Sequence, residues 1–310
     1  MKHEHIRRQK NNIRKLLAGF VISSLLSGTI ALTAHAASGV QIDSETYKAA
    51  AVTQTEYSVT PVYLDGHETG YYAYVIQNGV TYMPLRIIAE LLIPDAHVYW
   101  DSKTQTANVK TDALSLSAKP GECYITANER YLALSGLYPA ENELLDGTTY
   151  VPLRTAVRAM GGSIAWNDAK KRVEITSGSG TILSGDEYYD KDDVDWLSRI
   201  LYAEAGDQSL RGQLAVGSVI MNRVKDESFP DNLYDVIFDN KYAVQFTPTV
   251  NGAIYQTPSK ESILAAKLIL DGCSLSPDAL YFLDPSIASS FWIVENRTAL
   301  FTIGCHDFYS

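Results

Sequence analysis

The carboxyl group of Glu204 is the side chain in this sequence best suited to acid–base chemistry. It closes the stretch Ile200-Leu201-Tyr202-Ala203-Glu204-Ala205, where Val194, Leu197, Leu201 and Ala205 fall on one helical stripe. Apolar neighbours disfavour a carboxylate and raise its pKa, which suits a general acid that protonates a leaving oxygen near neutral pH. The irregular stretches that follow are rich in aromatic residues. Phe246, Tyr281 and Trp292 are suited to stacking on sugar rings, and Gln245 to hydrogen bonding a sugar amide or hydroxyl. His306 has two readings, one as a group that orients Glu204 or binds substrate and one as a hydrogen-bonded structural histidine. Bland readings stand beside the others too: an acid at a helix end is commonly solvated, and Tyr281 and Trp292 fit core packing equally well. No two of Cys123, Cys273 and Cys305 have metal-ligand spacing, and no His/Cys/Asp cluster does, so no metal or other cofactor is expected. Cys273 and Cys305 are a candidate disulfide pair, with buried free thiols as the alternative.

Three helices must hold this chemistry. The first starts at an N-cap supplied by Asp192 or Asp193 and ends at Gly206. The second spans about Ser209 to Val224, and its small residues Ala215, Gly217 and Ser218 permit close approach to the first. The third follows Pro258, from Ser259 to Gly272. Ahead of them lies an internal repeat. Gly79-Val80-Thr81-Tyr82-Met83-Pro84-Leu85-Arg86 returns 68 residues later as Gly147-Thr148-Thr149-Tyr150-Val151-Pro152-Leu153-Arg154, and Trp100 returns 66 residues later as Trp166. Each copy reads as a short strand, a proline at the first turn of a helix, and a closing hairpin. Arg86 and Arg154 read as packing and capping groups, or as ligand contacts. Ser177-Gly178-Ser179-Gly180 reads as a linker.

Both halves resemble known families. The paired Tyr-x-Pro-Leu-Arg motifs resemble the domain named for the N-terminal region of copper amine oxidases. The name implies no amine oxidation here, because the segment holds only His67 and His97 as histidines. Tyr202-Ala203-Glu204-Ala205, the run Gly212 to Val224 with Asn222-Arg223, and then Phe229-Pro230, Gln245-Phe246, Ala279-Leu280-Tyr281-Phe282, Trp292 and Ile303-Gly304-x-His306-x-Phe308 resemble cell wall hydrolases of the spore cortex-lytic (SleB) type. That resemblance implies a lysozyme-like or lytic-transglycosylase-like helical fold with Glu204 as its catalytic glutamate. Two departures stand out. The family usually continues with Arg-Gly-Glu where this chain has Gly206-Asp207-Gln208, and it usually has a polar residue, often Asn, where this chain has Cys305.

The expected fold class is therefore α+β, a duplicated small α+β, stalk-like domain followed by a mainly helical one. The expected segments are a signal peptide at 1–36, a flexible stretch at 37–56, the duplicated domain at 57–177, a linker at 178–192 and the catalytic domain at 193–310. Lys2, Arg7, Arg8, Lys10, Arg14 and Lys15 precede an apolar run ending in Ala34-His35-Ala36, the pattern of a cleaved secretory signal, with an uncleaved membrane anchor as the alternative. Removing residues 1–36 takes six of 26 basic and one of 36 acidic residues, and the net charge falls from −10 to about −15. Such a charge argues against nucleic acid or an anionic membrane as partner. The expected product is a secreted or wall-located enzyme of a Gram-positive bacterium, with spore association as an option. Its expected substrate is peptidoglycan glycan strands, and a cell-wall or protein partner is expected for residues 57–177. Alternatives are a non-catalytic wall-binding scaffold, a hydrolytic muramidase or an amidase.

Overall fold

The computed structural model describes residues 58–75, 80–134, 140–288 and 290–310. The expected signal peptide and the segment 37–56 lie outside them. The chain forms two compact units, one of residues through Thr111 with 118–121 and 142–180, the other of 112–117, 122–141 and 181–310.

The first unit is sheet-rich. Its strands are β1 (Ser58–Leu64), β2 (His67–Val75), β3 (Thr81–Pro84), β4 (His97–Asp101) and β5 (Thr106–Lys110). They continue, beyond segments of the second unit, with β9 (Glu143–Leu145), β10 (Thr148–Pro152), β11 (Ser163–Asn167) and β12 (Arg172–Thr176). Seven of these form one sheet in the order β11-β12-β1-β2-β3-β10-β9, parallel only between β1 and β12. The two copies of the repeat meet at neighbouring strands, one in from the β9 edge. β3 and β10 pair antiparallel with Met83 opposite Val151, so the duplicated Tyr-x-Pro segments face each other. Each strand runs into a short helix, α1 (Leu85–Leu92) and α2 (Leu153–Ala159). Pro84 and Pro152 stand at the N-cap with extended ψ, one position earlier than the first-turn placement expected from sequence. A proline there ends the strand without forfeiting a helix hydrogen bond. Arg86 and Arg154 act alike: Nη2 of Arg86 donates to the Val98 carbonyl at 3.0 Å and Nη1 of Arg154 to the Ile164 carbonyl at 3.4 Å. Each ties its helix to the first strand of the following hairpin, which is the packing reading of these residues. Tyr74, Tyr82, Met83, Leu85, Ile88, Tyr150, Val151 and Met160 form the core.

The proposed linker is built into this unit at its start. Ser177 donates from N and Oγ to the Asp65 carboxylate at 3.0 and 2.6 Å. A Cβ on Gly178 would lie 1.7 Å from the Gly161 carbonyl oxygen, so only glycine fits.

The second unit holds α3 (Gly185–Tyr188), α4 (Lys191–Ala205), α5 (Leu210–Lys225), α6 (Leu233–Ile237), α7 (Pro248–Asn251), α8 (Lys260–Leu270) and α9 (Trp292–Asn296). Ser184 and Glu187 form a reciprocal capping box on α3, so the rest of the expected linker at 178–192 is structured as well. The N-cap of α4 is Asp190, which accepts from the backbone N–H of Asp192 and Asp193, rather than either of those two. Ser209 and Ser259 cap α5 and α8. Gly206 ends α4 in ordinary right-handed geometry. Its lack of a side chain matters for space, since a Cβ would stand 2.4 Å from the Tyr202 carbonyl oxygen. The small-residue face of α5 does bring helices together. A Cβ on Gly217 would come within 2.9 Å of Ile269 on α8 and 3.4 Å of Leu201 on α4. Leu197, Ile200, Leu201, Val216, Val219, Ile220, Ala265 and Leu268 form the core between these helices.

Two strand groups complete this unit. β13 (Tyr281–Leu283), β14 (Ala299–Ile303) and β15 (His306–Tyr309) make a three-stranded antiparallel sheet in the order β13-β15-β14. The segment between the two repeats contributes β6 (Ser115–Ala118), β7 (Tyr124–Ala127) and β8 (Arg130–Ala133). Tyr124, Tyr131 and Ala133 of this hairpin pack on the helical core, and Arg130 forms a buried ion pair with Asp271 just after α8. By compactness residues 122–134 group with the helical unit, where Tyr124, Tyr131 and Ala133 are covered.

Candidate active site

Glu204 sits in the last turn of α4, half-buried beside Leu201 and Ala205, which are fully covered. Burial pushes its carboxyl pKa from 4.5 up to about 7, and the nearby Arg223 guanidinium acts in the opposite direction. Among the described residues no side chain hydrogen bonds to this carboxyl, and no second acid contributes to its shift. A protonated Glu204 is thus substantially populated near neutral pH, as a general acid requires.

Arg223 is the residue that sequence reasoning passed over. It lies near the end of α5, 5% exposed, with Nε donating to the Leu280 carbonyl at 2.8 Å and Nη1 buried without a hydrogen-bond partner. Three rings surround its guanidinium, Phe229, Phe246 and Tyr281, at 5.0, 5.3 and 5.5 Å. Burial lowers its pKa to about 10, so it stays charged at neutral pH; Tyr281, Asp239 and Glu204 act in the other direction. Its neighbour Asn222 donates to the Ser276 and Ala279 carbonyls at 2.6 and 2.8 Å. Together these two residues fix the lead into β13, and with it the position of Tyr281. The available signal was an Asn-Arg pair interrupting an apolar helix, a place where polar side chains need partners.

The other expected site residues divide. Tyr281 is half-buried between Arg223 and Arg297, and its hydroxyl accepts from Nη2 of Arg297 at 2.9 Å. Trp292 is 51% exposed at the start of α9, its ring 5.1 Å from the Arg297 guanidinium. Gln245 is half-buried and spends its side-chain nitrogen on the Ala243 carbonyl, within its own loop. Phe246 does not face solvent: at 2% exposure it walls Arg223 and packs near Phe282, so its expected sugar contact is replaced by a packing role. His306 is also buried, set edge-on to Phe282 at 5.3 Å, with Cys305 Sγ 3.8 Å from Nδ1. Burial lowers its pKa, and it makes no hydrogen bond to Glu204.

The two departures from the family pattern meet in space. Gln208 Oε1 accepts from the Cys305 backbone N–H at 3.3 Å, and a Cβ on Gly304 would lie 2.1 Å from the same oxygen. Asp207 is exposed and bonded to Gln208. The altered residues after Glu204 therefore brace the β14–β15 turn, where the second altered residue sits. All three cysteines are free thiols. Burial pushes the Cys273 thiol up to about 12 and the Cys305 thiol up to about 11. Among the described residues no helix is long and apolar enough to cross a membrane.

Residues 207–309 match the family model described as Cell Wall Hydrolase, which begins three residues after Glu204. Residues 63–142 and 137–184 match the Copper amine oxidase N-terminal domain. The chain thus carries a cell wall hydrolase domain preceded by a copper amine oxidase N-terminal-like domain.

Among similar proteins are spore cortex-lytic enzymes of Halalkalibacterium halodurans, 36% identical over 120 residues, and of Bacillus cereus, 34% identical over 120 residues. Each alignment covers 39% of this chain, and 35% and 45% of those relatives, so the chain spans less than half of their length. A solved structure titled as the catalytic domain of the germination-specific lytic transglycosylase SleB from Bacillus anthracis is 31% identical. It is matched over its full length and 42% of this chain, with a TM-score of 0.36.

Proposed function

We propose that this chain is an exported peptidoglycan-cleaving enzyme that acts as a lytic transglycosylase between N-acetylmuramic acid and N-acetylglucosamine, with Glu204 as its single acid–base group. The observation that carries this reading is the Glu204 carboxyl. Burial raises its pKa to about 7, and among the described residues Arg223 is the charged side chain acting on it. Ordinary glycoside hydrolysis needs two carboxyl groups flanking the scissile bond. A lytic transglycosylase needs one, because the muramic acid's own 6-hydroxyl closes onto C1.

In the first half of the reaction Glu204 gives its proton to the glycosidic oxygen as the C1–O bond breaks. Arg223 then holds the carboxylate so formed, the state that burial alone would disfavour. In the second half that carboxylate takes the proton of the 6-hydroxyl as its oxygen bonds to C1. The product is a 1,6-anhydro sugar, and Glu204 is again protonated. Resemblance to spore cortex-lytic relatives supports a wall or spore location, and residues 1–36 support export.

A second reading has its own observation. Asp239 is half-buried and faces Arg223, which makes it the carboxylate to supply a water-activating base in a hydrolytic enzyme. Mass analysis of muropeptides released from purified sacculi separates the two. Anhydro-muropeptides are expected; products heavier by one water, about 18 Da, with a reducing end would replace transglycosylation by hydrolysis.

A further inference from the structure

We propose that Arg297 is a substrate-recognition residue, and that it binds the carboxylate borne by the muramic acid's 3-O-lactyl substituent or by the stem peptide attached to it. This rests on the proposed reaction at Glu204 and names the chemical feature that the site selects.

Arg297 is exposed, yet its guanidinium is held in place. It lies 4.6 Å from the centre of the Tyr281 ring and 5.1 Å from that of Trp292, and Nη2 donates to the Tyr281 hydroxyl at 2.9 Å. Its backbone is fixed as well, with its N–H donating to the Ile293 carbonyl at the end of α9. Other arginines of the molecule are answered by acids: Arg130 by Asp271, Arg172 by Glu174 and Arg199 by Asp195. Arg297 has aromatic partners and no carboxylate among the described residues. One hydrogen bond leaves most of its five N–H donors unused, in the planar fork that matches a carboxylate. An immobilised guanidinium has already lost side-chain freedom, which favours binding over a free surface arginine.

Its location gives the ligand. Tyr281 lies under both Arg297 and Arg223, and Arg223 is the charge that acts on Glu204. Arg297 is thus linked to Glu204 through Tyr281 and Arg223. The two sugars of the glycan differ in one substituent, the lactyl group of muramic acid, and that group or its peptide carries the negative charge. An enzyme that must attack C1 of the muramyl and not the glucosaminyl residue needs to read this difference. The chain as a whole is acidic, so its general field repels such a substrate, and a local fixed cation is what can offset that repulsion.

The test compares three forms of one glycan, using the full chain. One keeps its stem peptides, one is stripped by an amidase to the lactyl carboxylate, and one has all carboxylates converted to methylamides. Wild-type kcat/KM is expected to be about tenfold higher on a charged form than on the methylamide form. In Arg297→Gln that ratio falls to near one, and in Arg297→Lys it is intermediate. Whichever charged form shows the preference identifies the lactyl or the peptide carboxylate as the ligand. A charge preference that survives in Arg297→Gln overturns the assignment, as does its absence in the wild type. Sedimentation binding of the same polymers to Glu204→Gln protein, with and without Arg297→Gln, separates this from the reaction. Anion-dependent binding lost with Arg297, in a protein whose wild type releases no muropeptides, would reject the proposed reaction and retain the carboxylate site. Binding unchanged by Arg297→Gln would reject the carboxylate site alone.

Discussion

In two places the second unit sets a largely buried arginine against an acid, to opposite ends. Where the β7–β8 hairpin meets the end of α8, Arg130 donates directly to Asp271, whose side chain is fully covered, and the Arg130 guanidinium also lies 3.3 Å from the centre of the Tyr188 ring. Glu204 in the last turn of α4 and Arg223 in the last turn of α5 influence each other without a hydrogen bond, and Arg223 keeps a buried donor unpaired. The first pair is satisfied and inert. In the second the carboxyl is left poised between its two protonation states. Full satisfaction of a buried charge pair fixes structure; an incomplete one keeps a proton available for chemistry.

Four changes test this contrast. The largest effect is expected at Glu204. Glu204→Gln should lower muropeptide release by about 10³-fold or more, with an unchanged circular dichroism spectrum, since proton transfer by a positioned group contributes roughly that much. Next comes the satisfied pair. Asp271→Ala should strand the Arg130 charge and destabilise the second unit by about 3–5 kcal/mol in denaturant unfolding. Arg130→Met with Asp271→Leu should recover most of that loss, and the specific activity of the folded fraction should be retained.

The third effect is a pH dependence. Because the folded pKa of Glu204 lies above its unfolded value, the folded chain holds a proton that the unfolded chain releases between pH 4.5 and about 7. Stability should therefore fall as pH rises through that window, by on the order of 3 kcal/mol. Glu204→Gln should remove this slope in thermal melts recorded at pH 5 and pH 8. The rate itself should decline above about pH 7 as the acid form is lost. The smallest effect belongs to Arg223→Gln. With the stabilising charge gone, the alkaline limb of the pH–rate profile should move up by on the order of one pH unit. If that limb stayed in place, Arg223 would be a packing group only, and the contrast between the two pairs would fail.

Much of the fold was legible because it depends on local pattern. The duplicated Tyr-x-Pro-Leu-Arg motif marked both strand–helix units, and the apolar stripe ending at Ala205 marked α4. Ser209 and Ser259 cap the helices that were expected to begin at them. Less visible were features that depend on what lies opposite. That Ser177 and Gly178 pack against Asp65 and Gly161 was not visible, because small polar residues look alike whether they are solvated or packed. Phe246 and Trp292 have the same aromatic signature in sequence, yet one is 2% exposed and the other 51%.

By itself the sequence determined that two different domains lie in tandem and that Glu204 ends an apolar helix, because periodicity and repeated motifs are properties of neighbouring residues. The tertiary structure decided three further points. Tyr124, Tyr131 and Ala133, far ahead in the chain, pack on the helical core. Gln208 reaches the Cys305 turn 97 positions away. Arg223, 19 positions after Glu204, opposes the burial that raises its pKa. Each is decided by desolvation and charge at contacts between distant segments, and a pKa depends on what surrounds a group in space rather than on what precedes it in the chain.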